Sequence, residues 1–254
     1  MGLRSKKVIC YSFLTMSGHS HARTVKHKKE ASAAQRSKAF SKVSREIAIA
    51  VKEGGSDPAT NSKLRSVIEK ARAFNMPTEN IERAVAKAAG GGEAGNLQEV
   101  LLEAYGPGNI ALLIQGITDN KNRMLGEVKQ ILSNNQGKLV EGGAVRWMFD
   151  QKGAVTIDPK DANKEELELK AIEAGAEDLY WREDGWLDVF TLPQNLEQVR
   201  SKLEADGIKI EAASLDWVPK EHVDAQLAKD AAEKLFDALD EQDDVQDIYS
   251  NIKA

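Results

Sequence analysis

Apolar residues recur at helical spacing through the first third of the chain. The first such face runs from Phe40 to Val51, a second helix follows Pro58, and Pro77 opens a third that the glycines at 90–92 end. Each of these segments carries charged residues on its other side, so each is amphipathic. The pattern predicts a small bundle of three helices followed by a glycine linker.

From Leu97 onward the pattern changes, and several segments become typical of strands. Residues 97–105 and 109–118 are predicted to be strands joined by a Gly-Pro-Gly turn, and a helix is predicted from 122 to 132. A series of strands and helices follows: strands at 145–149 and 154–157, a helix near 164–174, strands near 176–182 and 186–192, a helix near 194–205 and a strand at 208–217. This order is typical of ferredoxin-like α+β packing.

The last predicted elements are a helix at about 221–239 and a strand at 245–252, which need a partner sheet. The incomplete sheet of residues 97–144 can supply one, so we predict an α+β multidomain protein in which the ferredoxin-like domain is inserted into another α+β domain. The predicted parts are an extension at 1–15, a basic helical domain at 16–92, a discontinuous α+β domain at 93–144 and 218–254, and the inserted domain at 145–217.

Composition excludes several classes of protein. The 254 residues are 41% hydrophobic and hold a single cysteine, Cys10, which rules out an intramolecular disulfide and a cysteine-based metal cage. No apolar run approaches the eighteen residues of a membrane span. We expect a cytoplasmic protein in which residues 1–15 are an unstructured extension before Met16; a mitochondrial transit segment is the alternative.

Charge is unevenly distributed along the chain. Residues 1–92 hold 18 Lys and Arg against 7 Asp and Glu, a net charge of +11, whereas the remainder carries −16. A positive field of this size concentrates polyanions, which indicates a nucleic-acid partner. The alternative is a lysine-rich surface that serves solubility.

The strongest candidate for contact with nucleic acid is the segment from Ser17 to Arg45. Its first acidic residue is Glu30, and the part before Glu30 lacks helical spacing, so we interpret residues 17–29 as a basic arm that becomes ordered on its target. Cations of this kind bind phosphates and release counterions. The predicted contacts are His19, Ser20, Lys26, His27, Lys28, Lys29, Arg36, Lys38, Lys42 and Arg45. The alternative is a charged helix that only faces solvent.

Three of these cations share the side of the first helix opposite its apolar face. Lys38, Lys42 and Arg45 lie close together at 100° per residue, and we expect all three side chains to point to solvent. A second polar cluster, Asp119, Asn120, Lys121, Asn122 and Arg123, lies where a strand leads into a helix. Helix capping and a partner or anion contact explain this cluster equally well.

The four tryptophans fall in the predicted ferredoxin-like region, at Trp147, Trp181, Trp186 and Trp217. Aromatic residues on such sheets stack with single-stranded bases in some proteins, but this region is acidic, so we expect them in the core. No nucleophile–base pair, carboxylate pair or set of metal ligands is evident, and the three histidines at 19–27 have no thiol or carboxylate beside them. We therefore predict a protein that is not an enzyme and has no cofactor or metal.

Several blocks of sequence, in order and at matching spacing, resemble the YebC/PmpR family. They cover residues 16–254: Met16-Ser17-Gly18-His19-Ser20, Lys26-His27-Lys28-Lys29, Lys52-Glu53-Gly54-Gly55, Asn75-Met76-Pro77, Asn80-Ile81-Glu82-Arg83-Ala84, Tyr105-Gly106-Pro107-Gly108, Asp119-Asn120-Lys121-Asn122-Arg123 and Asp244-Val245-Gln246-Asp247-Ile248-Tyr249. The chain departs from the family pattern at His21-Ala22, where Lys-Trp is common, at Asn109 and at Met124.

The resemblance implies a helical bundle, an α+β domain and a ferredoxin-like domain inserted into it. Family members are generally described as DNA-binding transcriptional regulators, and relatives are described as translation factors that associate with the ribosome. Three hypotheses follow for this chain: a DNA-binding regulator of transcription, an RNA-binding translation factor on the ribosome, and a protein–protein adaptor that uses the acidic domains. Oligomeric state does not follow from the sequence.

Overall fold

The structure is a computed structural model that describes residues 33–91, 93–160, 162–182, 184–224 and 228–252. The basic arm and the extension at 1–15 lie outside the described residues. The α-helices in the described parts are α1 (Ala33–Gly54), α2 (Ser62–Ala73), α3 (Thr78–Ala89), α4 (Lys121–Asn134), α5 (Lys164–Ala174), α6 (Leu196–Ala205) and α7 (Lys229–Asp240). The strands there are β1 (Gln98–Tyr105), β2 (Ala111–Thr118), β3 (Lys138–Val140), β4 (Phe149–Ile157), β5 (Asp178–Trp181), β6 (Leu187–Thr191), β7 (Ile210–Pro219) and β8 (Val245–Ser250).

Helices α1, α2 and α3 form the predicted bundle. Ile47 of α1, Leu64 of α2 and Ile81 of α3 are buried in one shared core, as the helical spacing predicts. The side chain of Asn61 fastens the turn between α1 and α2, because it accepts from the backbone N–H of Leu64 and donates to the carbonyl of Ala50. This N-cap satisfies backbone groups that the helix ends leave open.

The first sheet has the strand order β3-β1-β2-β8 and is antiparallel throughout. Helices α4 and α7 cover one face, where Leu112 and Leu132 belong to the same core as Leu235. The other face carries Leu113 and Tyr249, which contact the second sheet region. Strand β8 therefore joins a sheet whose other strands precede residue 141.

The second sheet has the order β5-β6-β4-β7, and α5 and α6 cover one of its faces. Together with the chain order β4-α5-β5-β6-α6-β7, this is the ferredoxin-like arrangement. The mixed α+β fold predicted from the sequence is confirmed. The order of the sheets along the chain agrees with the predicted insertion, and the domain boundaries themselves stay a prediction.

One predicted strand is wrong. Residues 145–149 were expected to form a strand, but Arg146–Met148 is a short 3-10 turn and β4 is continuous from Phe149 to Ile157. The cause is the carboxylate of Glu103, which accepts hydrogen bonds from the backbone N–H groups of Gly143, Val145 and Arg146. Those groups are unavailable to a neighbouring strand.

Candidate nucleic-acid interface

The cationic face of α1 lies against the acidic turn between α7 and β8. Three ion pairs join them: Lys38 Nζ lies 2.8 Å from a carboxylate oxygen of Glu241, Lys42 Nζ 2.9 Å from Asp240, and Arg45 Nη1 2.6 Å from Asp244. The four-residue and three-residue spacing of these cations aligns them along one side of the helix, and the acidic residues come from one stretch, 240–244. This surface docks the bundle onto the first sheet.

The expectation that Lys38, Lys42 and Arg45 point to solvent is therefore wrong. Lys42 is buried, and Lys38 and Arg45 are half-buried. The physical reason is that a helix with a cationic face lowers its electrostatic energy against any dense set of carboxylates, and the turn at 240–244 supplies one within the same chain. Their contact with nucleic acid stays a prediction, and in this conformation it would have to compete with these ion pairs.

Asp244 is the centre of this contact. Its buried carboxylate accepts from Arg45 at 2.6 Å, from Thr118 Oγ1 at 2.9 Å and from Arg123 Nη2 at 2.9 Å. Burial alone would raise the pKa of Asp244, but the hydrogen bonds from Arg123 and Thr118 and the charge of Arg45 outweigh it and lower the pKa. Asp244 therefore stays ionised and holds α1, β2 and α4 together.

The polar cluster at 119–123 serves this same contact. Asn120 is the N-cap of α4 and accepts from the backbone N–H of Arg123 at 3.1 Å, so the capping role is confirmed. Arg123 pairs with both Asp119, at 2.8 Å, and Asp244. Within the cluster, Lys121 and Asn122 have exposed side chains and take no part in this network. A contact of the cluster with a partner or an anion stays a prediction.

Further cations of the bundle are paired with the acidic remainder of the chain. Lys63 lies 2.8 Å from Glu99, and Arg65 lies 3.6 Å from Glu197. Lys52 donates to backbone carbonyls just before β1. Much of the charge segregation is thus complementarity within the molecule, which weakens total charge as an indicator of nucleic acid.

A second, deeper cluster lies where α2, β7 and β8 meet. Lys70 Nζ is 2.8 Å from Glu46 and 3.9 Å from Asp247, and Asp216 is buried close by with its carboxylate 2.9 Å from Ser214 Oγ. Burial and the nearby charge of Asp247 raise the pKa of Asp216 to about 7, against the opposing effects of Ser214 and Lys70. Sequence reasoning gave no role to Asp216, Asp244 or Glu103, and the only signal for Asp244 was its place in the resemblance block at 244–249.

Six of the predicted nucleic-acid contacts lie outside the described residues: His19, Ser20, Lys26, His27, Lys28 and Lys29. Arg36 is exposed on the first turns of α1. Among the residues that the structure describes, no group of three His, Cys, Asp or Glu side chains could hold a metal ion. None of the helices in those same parts has the length and apolar character needed to cross a bilayer.

The four tryptophans do not share one environment. Trp181, Trp186 and Trp217 are half-buried, and Trp181 and Trp217 pack against apolar clusters. Trp147 is 64% exposed, so the expectation of a core position is wrong for this residue. Its place in the turn before β4, and not in a strand, explains the difference.

Comparison with known proteins gives a consistent result over nearly the whole chain. The family model described as the TACO1/YebC protein N-terminal domain matches residues 20–91, and the model described as the TACO1/YebC second and third domain matches residues 97–252. A probable transcriptional regulatory protein of Pseudothermotoga lettingae is 46% identical, with 94% of each chain covered. One of the same description from Caldanaerobacter subterraneus is 42% identical, covering 94% of this chain and 98% of the relative.

A crystal structure of a conserved hypothetical protein from Aquifex aeolicus has a similar fold. The TM-score is 0.81 at 40% sequence identity, over 87% of this chain and 91% of that one. The two-part match of the family models divides the chain between the helical bundle and the two sheets.

Proposed function

Because the chain belongs to the TACO1/YebC family, we propose that it is a non-enzymatic, nucleic-acid-binding regulator of gene expression. The observation that carries this proposal is the basic arm at residues 17–29, which holds four Lys and Arg and no acidic residue. The relatives named probable transcriptional regulatory proteins give the regulatory part of the proposal.

In this proposal the arm binds the nucleic acid, whereas the docked face of α1 does not. A cation that already pairs with a carboxylate gains little from a phosphate, because the two anions compete for the same donors. The arm precedes α1 in the chain, and Arg36 on the first turn of α1 is an exposed cation. Binding of this type is sequence-independent and falls steeply with salt.

The salt dependence of binding tests whether the arm contacts phosphates. In the variant, Lys26, Lys28 and Lys29 are all replaced by Gln. The Kd of the wild type and of this variant is measured for labelled duplex DNA and for single-stranded RNA as the salt concentration is raised. Each lost phosphate contact reduces the slope of log K against log salt by about 0.9 on duplex or about 0.7 on single strands, so the slope should fall by about 2 to 3.

A matched control removes three charges elsewhere. Lys160, Lys209 and Lys234 are exposed in the acidic part of the chain, and their joint replacement by Gln leaves the arm unchanged. We expect wild-type affinity and slope from this control. Equal behaviour of the two triple variants would show that the arm does not bind phosphate and would overturn the proposal.

A second candidate function is an RNA-binding factor that acts in translation. One observation favours it. The exposed charges of α3 are mixed in sign, with Glu79 and Glu82 on the same helix as Arg83 and Lys87. Three of the cations of α1, Lys38, Lys42 and Arg45, are docked. Neither of these helices presents the cationic face that usually enters a major groove. Irregular RNA, which is recognised at loops and single strands, suits this surface better.

Crosslinking in cells, followed by sequencing of the bound nucleic acid, separates the candidates. Recovery of discrete promoter segments supports regulation of transcription, and recovery of ribosomal RNA supports action in translation. Recovery of neither, with protein partners bound to the acidic part of the chain, would identify an adaptor.

A further inference from the structure

The turn before β4 is held in one conformation by a buried carboxylate. Glu103 is 5% exposed and accepts from the backbone N–H groups of Gly143 at 2.6 Å, Val145 at 2.7 Å and Arg146 at 2.9 Å. Burial would raise the pKa of Glu103, but these three hydrogen bonds and the charge of Arg146 lower it. A buried carboxylate is costly without such donors, so the turn is fixed to the sheet beneath it.

The same turn presents the most exposed large apolar side chain among the described residues. Trp147 is 64% exposed, and its Nε1–H donates to the carbonyl of Ala144 at 3.0 Å. That bond satisfies the polar edge of the indole and sets its orientation, so the ring offers mainly its faces to a ligand. Little rotamer entropy remains to be lost when a ligand stacks on a ring that is already oriented.

The residue before Trp147 in the turn is a cation, Arg146. The guanidinium of Arg146 lies over Trp217, with 5.0 Å from its central carbon to the ring centroid. Cation–π contact of this kind holds the guanidinium in place and leaves its N–H donors for an anion. Two neighbouring residues of the turn therefore carry an aromatic face and a guanidinium that can bind an anion.

The surroundings favour a nucleotide over an apolar protein surface. The other exposed residues of the turn are Glu141, Gly142 and Gly143, and none of them adds apolar side-chain area beside the indole. Gly143 has φ +91°, and a Cβ built there would meet nothing within 4 Å. A protein interface needs a cluster of apolar anchors, whereas base stacking needs one aromatic face and a cation near the phosphate.

We propose that Trp147 and Arg146 form a binding site for single-stranded nucleic acid, in which a base stacks on the indole and a neighbouring phosphate binds the guanidinium. This site is separate from the basic arm, and it rests on the proposed function in so far as the chain binds nucleic acid. Paired bases are already stacked within a duplex, so the site selects single strands.

The test uses the full chain, fluorescein-labelled oligouridine and a labelled duplex. Trp147→Ala should weaken oligouridine binding by about 5- to 150-fold, which corresponds to the loss of one stacked base. Trp147→Phe keeps an aromatic face and should restore most of the affinity. Duplex affinity should be the same in all three proteins. The fluorescence quenching that oligouridine causes in the wild type should largely disappear in Trp147→Phe.

Leu169→Ala is the matched control for loss of an exposed apolar side chain, since Leu169 is 60% exposed on α5. We expect it to bind both probes like the wild type. The proposal is overturned if Trp147→Ala binds oligouridine like the wild type, or if it loses duplex affinity equally. If it retains oligouridine binding but loses a protein partner, the turn is a protein interface. A third outcome separates this site from the proposed function. If the Gln variant of the arm loses affinity for both probes while Trp147→Ala has no effect, the chain binds nucleic acid through the arm and the second site does not exist.

Discussion

Replacement of Asp244 by Asn gives the sharpest test of how the helical bundle is held. The substitution keeps the shape of the side chain but removes the charge that faces Arg45 and Arg123 and inserts an N–H group among their donors. Breaking a buried ion pair costs about 3 to 5 kcal/mol. Solvent screens part of this loss because both arginines are partly exposed, so we expect Asp244→Asn to lower the free energy of unfolding by about 2 to 4 kcal/mol.

The assay is denaturant unfolding at neutral pH, followed by circular dichroism, with Asp243→Asn as the control. Asp243 is the neighbouring acid and is exposed, and its backbone carbonyl, not its carboxylate, accepts from Arg45. The two variants therefore have the same net charge and differ only in the network. If Asp244→Asn is no less stable than Asp243→Asn, the network does not hold the bundle and our argument fails.

The pH dependence of the same pair of proteins supplies an independent check. The pKa of Asp244 is lowered below its ordinary value of 3.8, so its contribution is complete above about pH 4 and is lost as the pH falls through the lowered pKa. The stability difference between the wild type and Asp244→Asn should be constant from pH 8 to about pH 5 and should shrink in stronger acid. A difference that instead grows in acid would contradict the assignment.

Three further predictions concern buried polar groups. The pKa of Asp216 is raised from 3.8 to about 7, so its ionisation destabilises the fold progressively between about pH 4 and pH 7 and by a constant amount above that, and Asp216→Asn should raise the melting temperature most at pH 8, less at pH 5 and hardly at all near pH 4. Glu103→Gln loses charge-assisted hydrogen bonds from three N–H groups, so it should lower the free energy of unfolding in denaturant by about 2 to 3 kcal/mol. The same variant should bind oligouridine more weakly although it keeps Trp147, because the turn is no longer held in place. Lys42→Met keeps the packing of the side chain but loses the ion pair with Asp240, so it should lower the free energy of unfolding by about 1 to 2 kcal/mol. Replacement of an exposed lysine by Met, as a control, should leave the free energy of unfolding unchanged.

Local periodicity accounts for what could be predicted from the sequence. The spacing from Phe40 to Val51 defines the buried side of α1, and the continuous apolar run from Ile110 to Ile114 marks β2 as a strand that is buried on both faces. The strand-helix order from 149 to 219 follows from the same kind of pattern. These features depend on neighbouring residues alone, which is why a single sequence contains them.

The features that could not be predicted depend on residues far apart in the chain. The cations of α1 form an identifiable stripe, but nothing near Lys42 indicates that Asp240, 198 positions later, will pair with it. The strand expected at 145–149 has suitable residues and is prevented by Glu103, about forty positions earlier. Trp147 becomes exposed for the same reason. Each failure is a side-chain contact between distant segments that outweighs a local preference.

The positive charge of the first 92 residues divides into two populations with different partners. Cations of α1 and α2 pair with acids of the remainder, whereas the arm at 17–29 contains no acid of its own. Salt screens both kinds of interaction, so raising it weakens docking of the bundle as well as phosphate binding. The salt slope of the full chain therefore contains two contributions. The difference in slope between the wild type and the Gln variant of the arm removes the docking contribution, because both proteins keep Lys42 and Asp244, and that difference measures the phosphate contacts of the arm.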